Sequence, residues 1–332
     1  MAWQFAWLFF APPVFLVNPL FGQVGNGIWV QDDYAGLQAM KNIPPHMPIL
    51  YLYAMVYFNF NSKIFKESCP VIGPDNRGLR YGDGLFETIR VKEGLLQLED
   101  EHFSRLWKGM DTLQFDRPRH FSPALLSEEI KSLVKKNGHE KDARIRLSIF
   151  RGDGGLYDSI NLFPNYLIQT WPLAQGYGDW NSNGLVLGVY NDALKSCDIL
   201  SNIKHNNYLV SVLGALNAKK ERWNDAVILN MHGRVCETTI ANVFIIKDGA
   251  FYTPSLAEGC VAGVMRKTVI SVLRRNGFTV EEVNIAMDDL LSADEVFLTN
   301  SIHPLRWVQR IQNSVFNSHL SQTAFSLLVQ TI

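Results

Sequence analysis

Three kinds of residue in this chain stand where they could do chemistry. Lys204 lies in Ser201-Asn202-Ile203-Lys204-His205-Asn206-Asn207-Tyr208, just ahead of an apolar helical run. A lysine at such a junction loses hydration, which lowers its pKa and makes its amine a Schiff-base nucleophile. Taken alone, the same lysine reads more readily as a solvated surface residue. Glu237 follows a strand-turn-strand pattern (Ala226 to Met231, His232-Gly233, Arg234-Val235-Cys236) and precedes Thr238 to Phe244. An acid among apolar neighbours is costly unless it meets a cation or a strong donor, and a pyridinium nitrogen would be such a donor. An edge-strand carboxylate in water has the same local sequence. Two stretches suit a phosphate: Gly263-Val264-Met265-Arg266 opens a helix whose first N–H groups and dipole attract anions, and Thr299-Asn300-Ser301 adds hydroxyl and amide donors. Either alone is a weak signal, since most helix starts meet only water and such polar clusters are usually turns.

These residues need elements to carry them. Val56 to Phe60 is strand-like, and Ala143, Ile145, Leu147 and Ile149 alternate with Arg144, Arg146 and Ser148, which puts both arginines on one face of a half-buried strand. Phe103, Leu106, Trp107, Met110 and Leu113 follow helical spacing, with Asp100 available as N-cap. Ser122-Pro123 and Asn137-Gly138 bracket another helix. Further strands are expected near 185–190, 226–231, 242–246 and 250–252, and helices near 206–222 and 264–276. The first of these helices is expected to pack through Leu209, Val212, Leu213 and Leu216. Gly82-Asp83-Gly84 is a tight turn entering a strand and implies that backbone approaches something closely there. It lacks the G-x-G-x-x-G and P-loop patterns, and the eight histidines show no H-x-x-x-H or H-E-x-x-H spacing, so no metal site is expected. Runs of strands punctuated by a few helices argue for an α+β chain of two strand-rich domains with flanking helices. The expected division is an N-terminal domain at 55–170, a Gly/Asn/Pro-rich linker at 171–184, a C-terminal domain at 185–310 and a tail at 311–332 packing on it.

Composition narrows the partners. The 332 residues are 47% apolar and 19% charged, and 31 basic against 32 acidic residues leave a net charge of −1, so no basic field draws the molecule to nucleic acid or anionic lipid. Four cysteines without a C-x-x-C are too sparse for a disulfide framework, which points to a reducing, cytoplasmic setting. Residues 1–54 differ: they hold three of the 63 charges and eleven aromatics. Their apolar opening has no preceding Lys or Arg, and Ala11-Pro12-Pro13 breaks it before membrane-spanning length, so neither a signal peptide nor a membrane anchor is expected. The folded part of the chain is expected to begin near Met55, with the preceding segment an appendage or upstream sequence.

Taken in order, these features resemble the fold-type IV pyridoxal-phosphate enzymes: branched-chain aminotransferases, D-amino-acid aminotransferases and aminodeoxychorismate lyases. The resemblance spans about residues 56–310 through Arg80-Tyr81-Gly82-Asp83-Gly84-Leu85-Phe86-Glu87-Thr88, His102-Phe103-Ser104-Arg105-Leu106, Lys204, Glu237 with Asn242 and Phe244, Thr253-Pro254, Gly259, Gly263 to Arg266 and Thr299-Asn300. Residue by residue it implies Lys204 as the lysine that holds the cofactor and moves the proton, and Glu237 as partner of the pyridine nitrogen. It implies Arg105, Val264, Met265, Thr299 and Asn300 around the phosphate. Arg151, Thr88, Arg90 and Asn207 would meet the substrate, a small-molecule amine, with Arg151 the first choice for its carboxylate and Arg144 and Arg146 also on candidate strands. Lys204-His205-x-Asn207, Arg151-Gly152-Asp153-Gly154-Gly155 and Thr299-Asn300-Ser301 resemble the lyase pattern more than the aminotransferase one. The expected reaction is therefore that of 4-amino-4-deoxychorismate lyases, release of 4-aminobenzoate and pyruvate, with a branched-chain or D-amino-acid transaminase as the alternative. Leu156-Tyr157 departs from the second arginine and Gly-Tyr that often follow in lyases. The resemblance also implies a homodimer.

Overall fold

In a computed structural model that describes residues 56–158 and 161–332, the alternation of apolar and polar residues becomes two sheets. The first comprises β1 (Tyr57–Phe60), β2 (Lys63–Lys66), β3 (Gly84–Lys92), β4 (Leu95–Leu96), β5 (Asp142–Arg151) and β6 (Pro164–Pro172), all antiparallel, in the order β2-β1-β6-β5-β3-β4. One face of β3 and β5 (Leu85, Ile89, Val91, Ile145, Leu147, Ile149) is buried under α2 (Glu99–Thr112) and α3 (Pro123–Asn137), while Thr88, Arg144 and Arg146 line the other. A short helix, α1 (Arg77–Tyr81), leads into β3 through Gly82 in the left-handed region at φ 64°. The caps of α3 are those expected: Ser122 Oγ accepts from Leu125 N–H, Pro123 opens the helix, and Gly138 ends it at φ 68°. The N-terminus of α2 differs from expectation. Leu98, at φ 53°, precedes the helix without a side-chain cap, and Asp100 lies inside the first turn with Glu99 and Glu101, where three carboxylates complement the helix dipole instead.

The second sheet holds β7 (Leu185–Lys195), β8 (Asp225–Asn230), β9 (Val235–Thr238), β10 (Asn242–Lys247), β11 (Ala250–Pro254), β12 (Val280–Val283), β13 (Glu295–Thr299), β14 (Arg306–Ile311) and β15 (Ser314–Val315). Its order is β12-β11-β10-β13-β14-β7-β8-β9, with β15 on β14 and parallel pairs at β11·β12, β14·β7 and β7·β8. One face packs on α5 (Val264–Arg275) and α7 (His319–Val329), the other closes on α6 (Met287–Leu291), and α4 (Leu209–Lys220) covers β7 and β8. The chain from Met55 to Ile332 is one compact unit. The expectation for residues 1–54 lies outside the described residues.

The packing of α4 corrects the sequence reading. Leu209, Val212, Leu213 and Leu216 form the apolar stripe that periodicity reveals, but they are between 45% and 69% exposed. The helix seats itself through Gly214 and Ala218 instead. A Cβ on Gly214 would lie 2.8 Å from Ile228 Cδ1 and 3.1 Å from Thr239 Cγ2, so the missing side chain lets α4 approach β8 without moving either. Periodicity locates an apolar face and is silent on what covers it.

Candidate active site

Lys204 is placed by backbone, before any side-chain contact is counted. Phe86 N–H donates to the Lys204 carbonyl at 2.8 Å, and Asn206 N–H donates to the Gly84 carbonyl at 2.9 Å. The start of β3 is thereby stitched to the loop that carries the lysine. This explains Gly82-Asp83-Gly84: a Cβ at Gly84 would collide with the Ile149 carbonyl and crowd the Asn206 amide. The Lys204 ammonium then lies 4.6 Å from the Phe86 ring centre and 5.3 Å from that of Tyr208, whose hydroxyl is 3.5 Å from Nζ. Burial above all, with the charge of Arg105 nearby, lowers its pKa to about 8 against the opposing pull of Glu87 and Glu237.

Arg105, on α2, is aimed from behind. Its Nε and Nη2 form a two-point pair with Glu87 at 2.8 and 2.5 Å, and His102 Nδ1 reaches the same carboxylate at 2.8 Å. Burial alone would raise the Glu87 carboxyl, but Arg105 and the His102 hydrogen bond overcome it and hold the group at about 2. The third arm of Arg105 donates to the Ala262 carbonyl at 3.2 Å, two residues before α5 begins. Gly263 is the N-cap of α5, no side chain caps it, and a Cβ there would collide with the amide oxygen of Asn242. Asn242 pairs across the sheet with Thr299, whose hydroxyl oxygen is buried without a hydrogen-bond partner. A guanidinium, an uncapped helix start at Val264 and Met265 and an orphaned hydroxyl make a donor set suited to a phosphate. Asn300 contributes differently. Its side-chain oxygen accepts from Ile302 and His303 N–H at 3.0 and 2.8 Å, so it builds its own turn.

Glu237, on β9, is buried, and both of its oxygens are engaged. Oε2 accepts from Val261 N–H at 2.8 Å and Oε1 pairs with the ammonium of Lys195 at the end of β7. A carboxylate held from two sides keeps lone pairs free for a donor such as a ring N–H. Lys195 escaped the sequence reading because the strand was expected to end near 190. Glu87 left a signal: the alternation of β3 puts it with Leu85, Ile89 and Val91 on the buried face, where a carboxylate needs cations.

The substrate candidates separate. Arg151 is committed to Asp83 and the Leu113 carbonyl and lies over Phe115 at 4.5 Å. Arg90 is committed to Asp142 and to the Tyr177 and Ile302 carbonyls. Asn207 is exposed, its N–H donating to His205 Nδ1 at 3.0 Å. Thr88 faces Arg146 across the β3·β5 pair, and Arg146 lies 3.8 Å from the Phe86 ring with Ser148 Oγ as its hydrogen-bond partner. Of the arginines considered, Arg146 is the one beside Phe86, and no ion pair holds it among the described residues. No group of three or more His, Cys, Asp or Glu among the described residues could hold a metal.

Residues 84–311 match the family model for amino-transferase class IV. An aminodeoxychorismate lyase from Vibrio harveyi is 34% identical over 229 residues, 68% of this chain and 82% of that protein. A D-alanine aminotransferase from Bacillus licheniformis is 29% identical over 286 residues, 80% of this chain and 98% of that protein. The crystal structure of 4-amino-4-deoxychorismate lyase from Pseudomonas aeruginosa superposes with a TM-score of 0.72 at 26% identity, covering 83% of this chain and 99% of that one. The resemblance carried by Lys204, Glu237 and Arg105 is thus matched by the larger part of the chain, which belongs to the class IV aminotransferase family of pyridoxal-phosphate-dependent enzymes.

Proposed function

We propose that this enzyme is a 4-amino-4-deoxychorismate lyase, forming 4-aminobenzoate and pyruvate. The observation that carries the reading is the pairing of a desolvated Lys204 with the free cation Arg146 around Phe86, so that a base and a carboxylate anchor serve one small-molecule amine. The choice of lyase over transaminase draws support from the lyase relative at 34% identity and from Lys204-His205-x-Asn207.

Pyridoxal phosphate, when bound, supplies the electron sink. Arg105, the start of α5 and Thr299 would hold its phosphate, Glu237 its ring nitrogen and Lys204 its carbonyl carbon. The protein's own work is positional and electrostatic. Arg146 and Thr88 orient the substrate carboxylate, and Phe86 and Tyr208 exclude water from the lysine. Lys204 Nζ takes the proton from the ring carbon that bears the amine, the C–O bond at the neighbouring ring carbon breaks, the ring becomes aromatic, and the enolpyruvate that leaves becomes pyruvate by taking a proton on carbon. Arg151, the first choice from the sequence, is replaced in this reading by Arg146, because Arg146 lies at the same Phe86 ring as Lys204, whereas Arg151 is held at Phe115 by Asp83 and the Leu113 carbonyl.

The enzyme in this reading is a homodimer. The stripe of α4 is exposed, as are Ile199 and Leu200 in the segment ahead of it, and exposed apolar side chains of this kind are what a second copy covers. Four free cysteines and the absence, among the described residues, of a helix long and apolar enough to cross a membrane agree with a cytoplasmic setting.

The test is to incubate cofactor-loaded protein with aminodeoxychorismate and follow 4-aminobenzoate and pyruvate. Both products from the wild type and neither from Lys204→Ala are expected. The second reading, a D-amino-acid transaminase, rests on the aminotransferase relative matched over 98% of its length. Conversion of the cofactor to its amine form by D-alanine alone, with no 4-aminobenzoate from aminodeoxychorismate, would replace the lyase by it.

A further inference from the structure

The ion pair between Lys195 and Glu237 has no role in the scheme above. Glu237 does not need it to stay in place: β9 pairs with β8, and Val261 N–H already fixes one oxygen. Lys195 is half-buried at the end of β7, with β8 lying between that strand and the edge strand β9 that carries Glu237. A half-buried ammonium is costly, and its placement on the carboxylate that would face a ring nitrogen changes the charge which that nitrogen meets.

We propose that Lys195 is a positioning residue that acts through Glu237, sharing its carboxylate so as to set how firmly the proton on the cofactor's ring nitrogen is held. This rests on the placement of Glu237 at the ring nitrogen in the functional reading above. An isolated carboxylate would present a full negative charge to the ring. The Lys195–Glu237 pair presents a dipole of nearly zero net charge, which stabilises a pyridinium less and leaves the electron sink adjustable. Glu237 outweighs the effect of burial on Lys195 and keeps its ammonium charged, so the pair is ionic. The other titratable groups around it are Cys236 on β9, Cys260 ahead of α5, and Lys204, His205 and Tyr208 in the segment between β7 and α4. Burial raises both thiols, so neither supplies a competing negative charge. Lys195 also lowers, as a minor cause, the proton affinity of the free Lys204 amine.

The experiment uses the full chain loaded with pyridoxal phosphate isotope-labelled at its ring nitrogen and reads the pH midpoint of that nitrogen by NMR, beside the visible absorbance band that Lys204 makes with the cofactor. Removing the ammonium leaves Glu237 uncompensated, so nearby protons are held more tightly. In Lys195→Met and Lys195→Gln the midpoint should rise by about one pH unit, while Lys195→Arg should keep the wild-type value. Wild-type midpoints in both neutral variants, or an equal shift in the arginine variant, would overturn the proposal. So would failure of both neutral variants to fold beside a folded arginine variant, which would assign the lysine to stability. The underlying placement is tested separately. A band in the wild type that Lys204→Ala lacks and Glu237→Gln shifts supports it, and no band in the wild type, or no shift in Glu237→Gln, would overturn both readings.

Discussion

Lys204 and Glu87 show opposite consequences of burial at a single residue. Lys204 is desolvated without a carboxylate in contact, so its amine is freed near neutral pH. In cofactor-free protein, attachment of pyridoxal phosphate, trapped with borohydride, should accelerate with pH and level off above about 8, where an ordinary lysine would keep accelerating to about 10.4. Glu87 is desolvated as well, but Arg105 and His102 meet it on both oxygens. Its folded pKa of about 2 lies below the ordinary value of 4.5, so its contribution to stability is complete above pH 4.5 and is lost as pH falls toward 2. Glu87→Gln should cost roughly 3 kcal/mol in urea unfolding at pH 7, because Arg105 would be left without its counter-charge, and should flatten the acid limb of the stability profile. Glu87 therefore holds Arg105 from behind, in support of the phosphate site proposed for it.

The elements matter here through their ends. The lysine loop depends on the start of β3, the phosphate cup on the start of α5, and the glutamate on the short edge strand β9. Gly263 tests the second of these. Gly263→Ala forces Cβ against Asn242 and displaces the first turn of α5, so affinity for pyridoxal phosphate should fall about tenfold or more by fluorescence titration, near 1.4 kcal/mol, with helical circular dichroism unchanged. Most of these elements were legible in the sequence, because β5, α3 and α5 each pair a clear period with proper ends. Two features were not. The α2 N-terminus uses a left-handed Leu98 that no propensity favours, and β7 runs past residue 190 to Lys195, where apolar alternation has already stopped.

For the whole molecule the informative surface is α4. Its stripe of Leu209, Val212, Leu213 and Leu216 has the pattern of a buried face and the exposure of a surface. Leu213→Lys should shift the protein toward monomer in sedimentation velocity while leaving the melting temperature of the monomer within about 2 °C, since the helix is seated through Gly214 and Ala218. Loss of the folded state instead would show that the stripe belongs to the core of one chain.

The sequence alone determined the family of the chain. Lys204, Glu237, Arg105 and the two phosphate-seeking stretches are properties of residue type and order, and their succession marks the family without any coordinates. Tertiary structure decided which charges remain available. Arg90, Arg146 and Arg151 all lie on β3 or β5, yet two are neutralised by Asp142 and Asp83, far from them in sequence, and Arg146 is not. Lys195 and Glu237 are likewise 42 residues apart and meet only because β7, β8 and β9 are neighbours in one sheet. Residue type and spacing specify what a group can do, but an ion pair depends on distance in space, which long-range strand pairing alone sets.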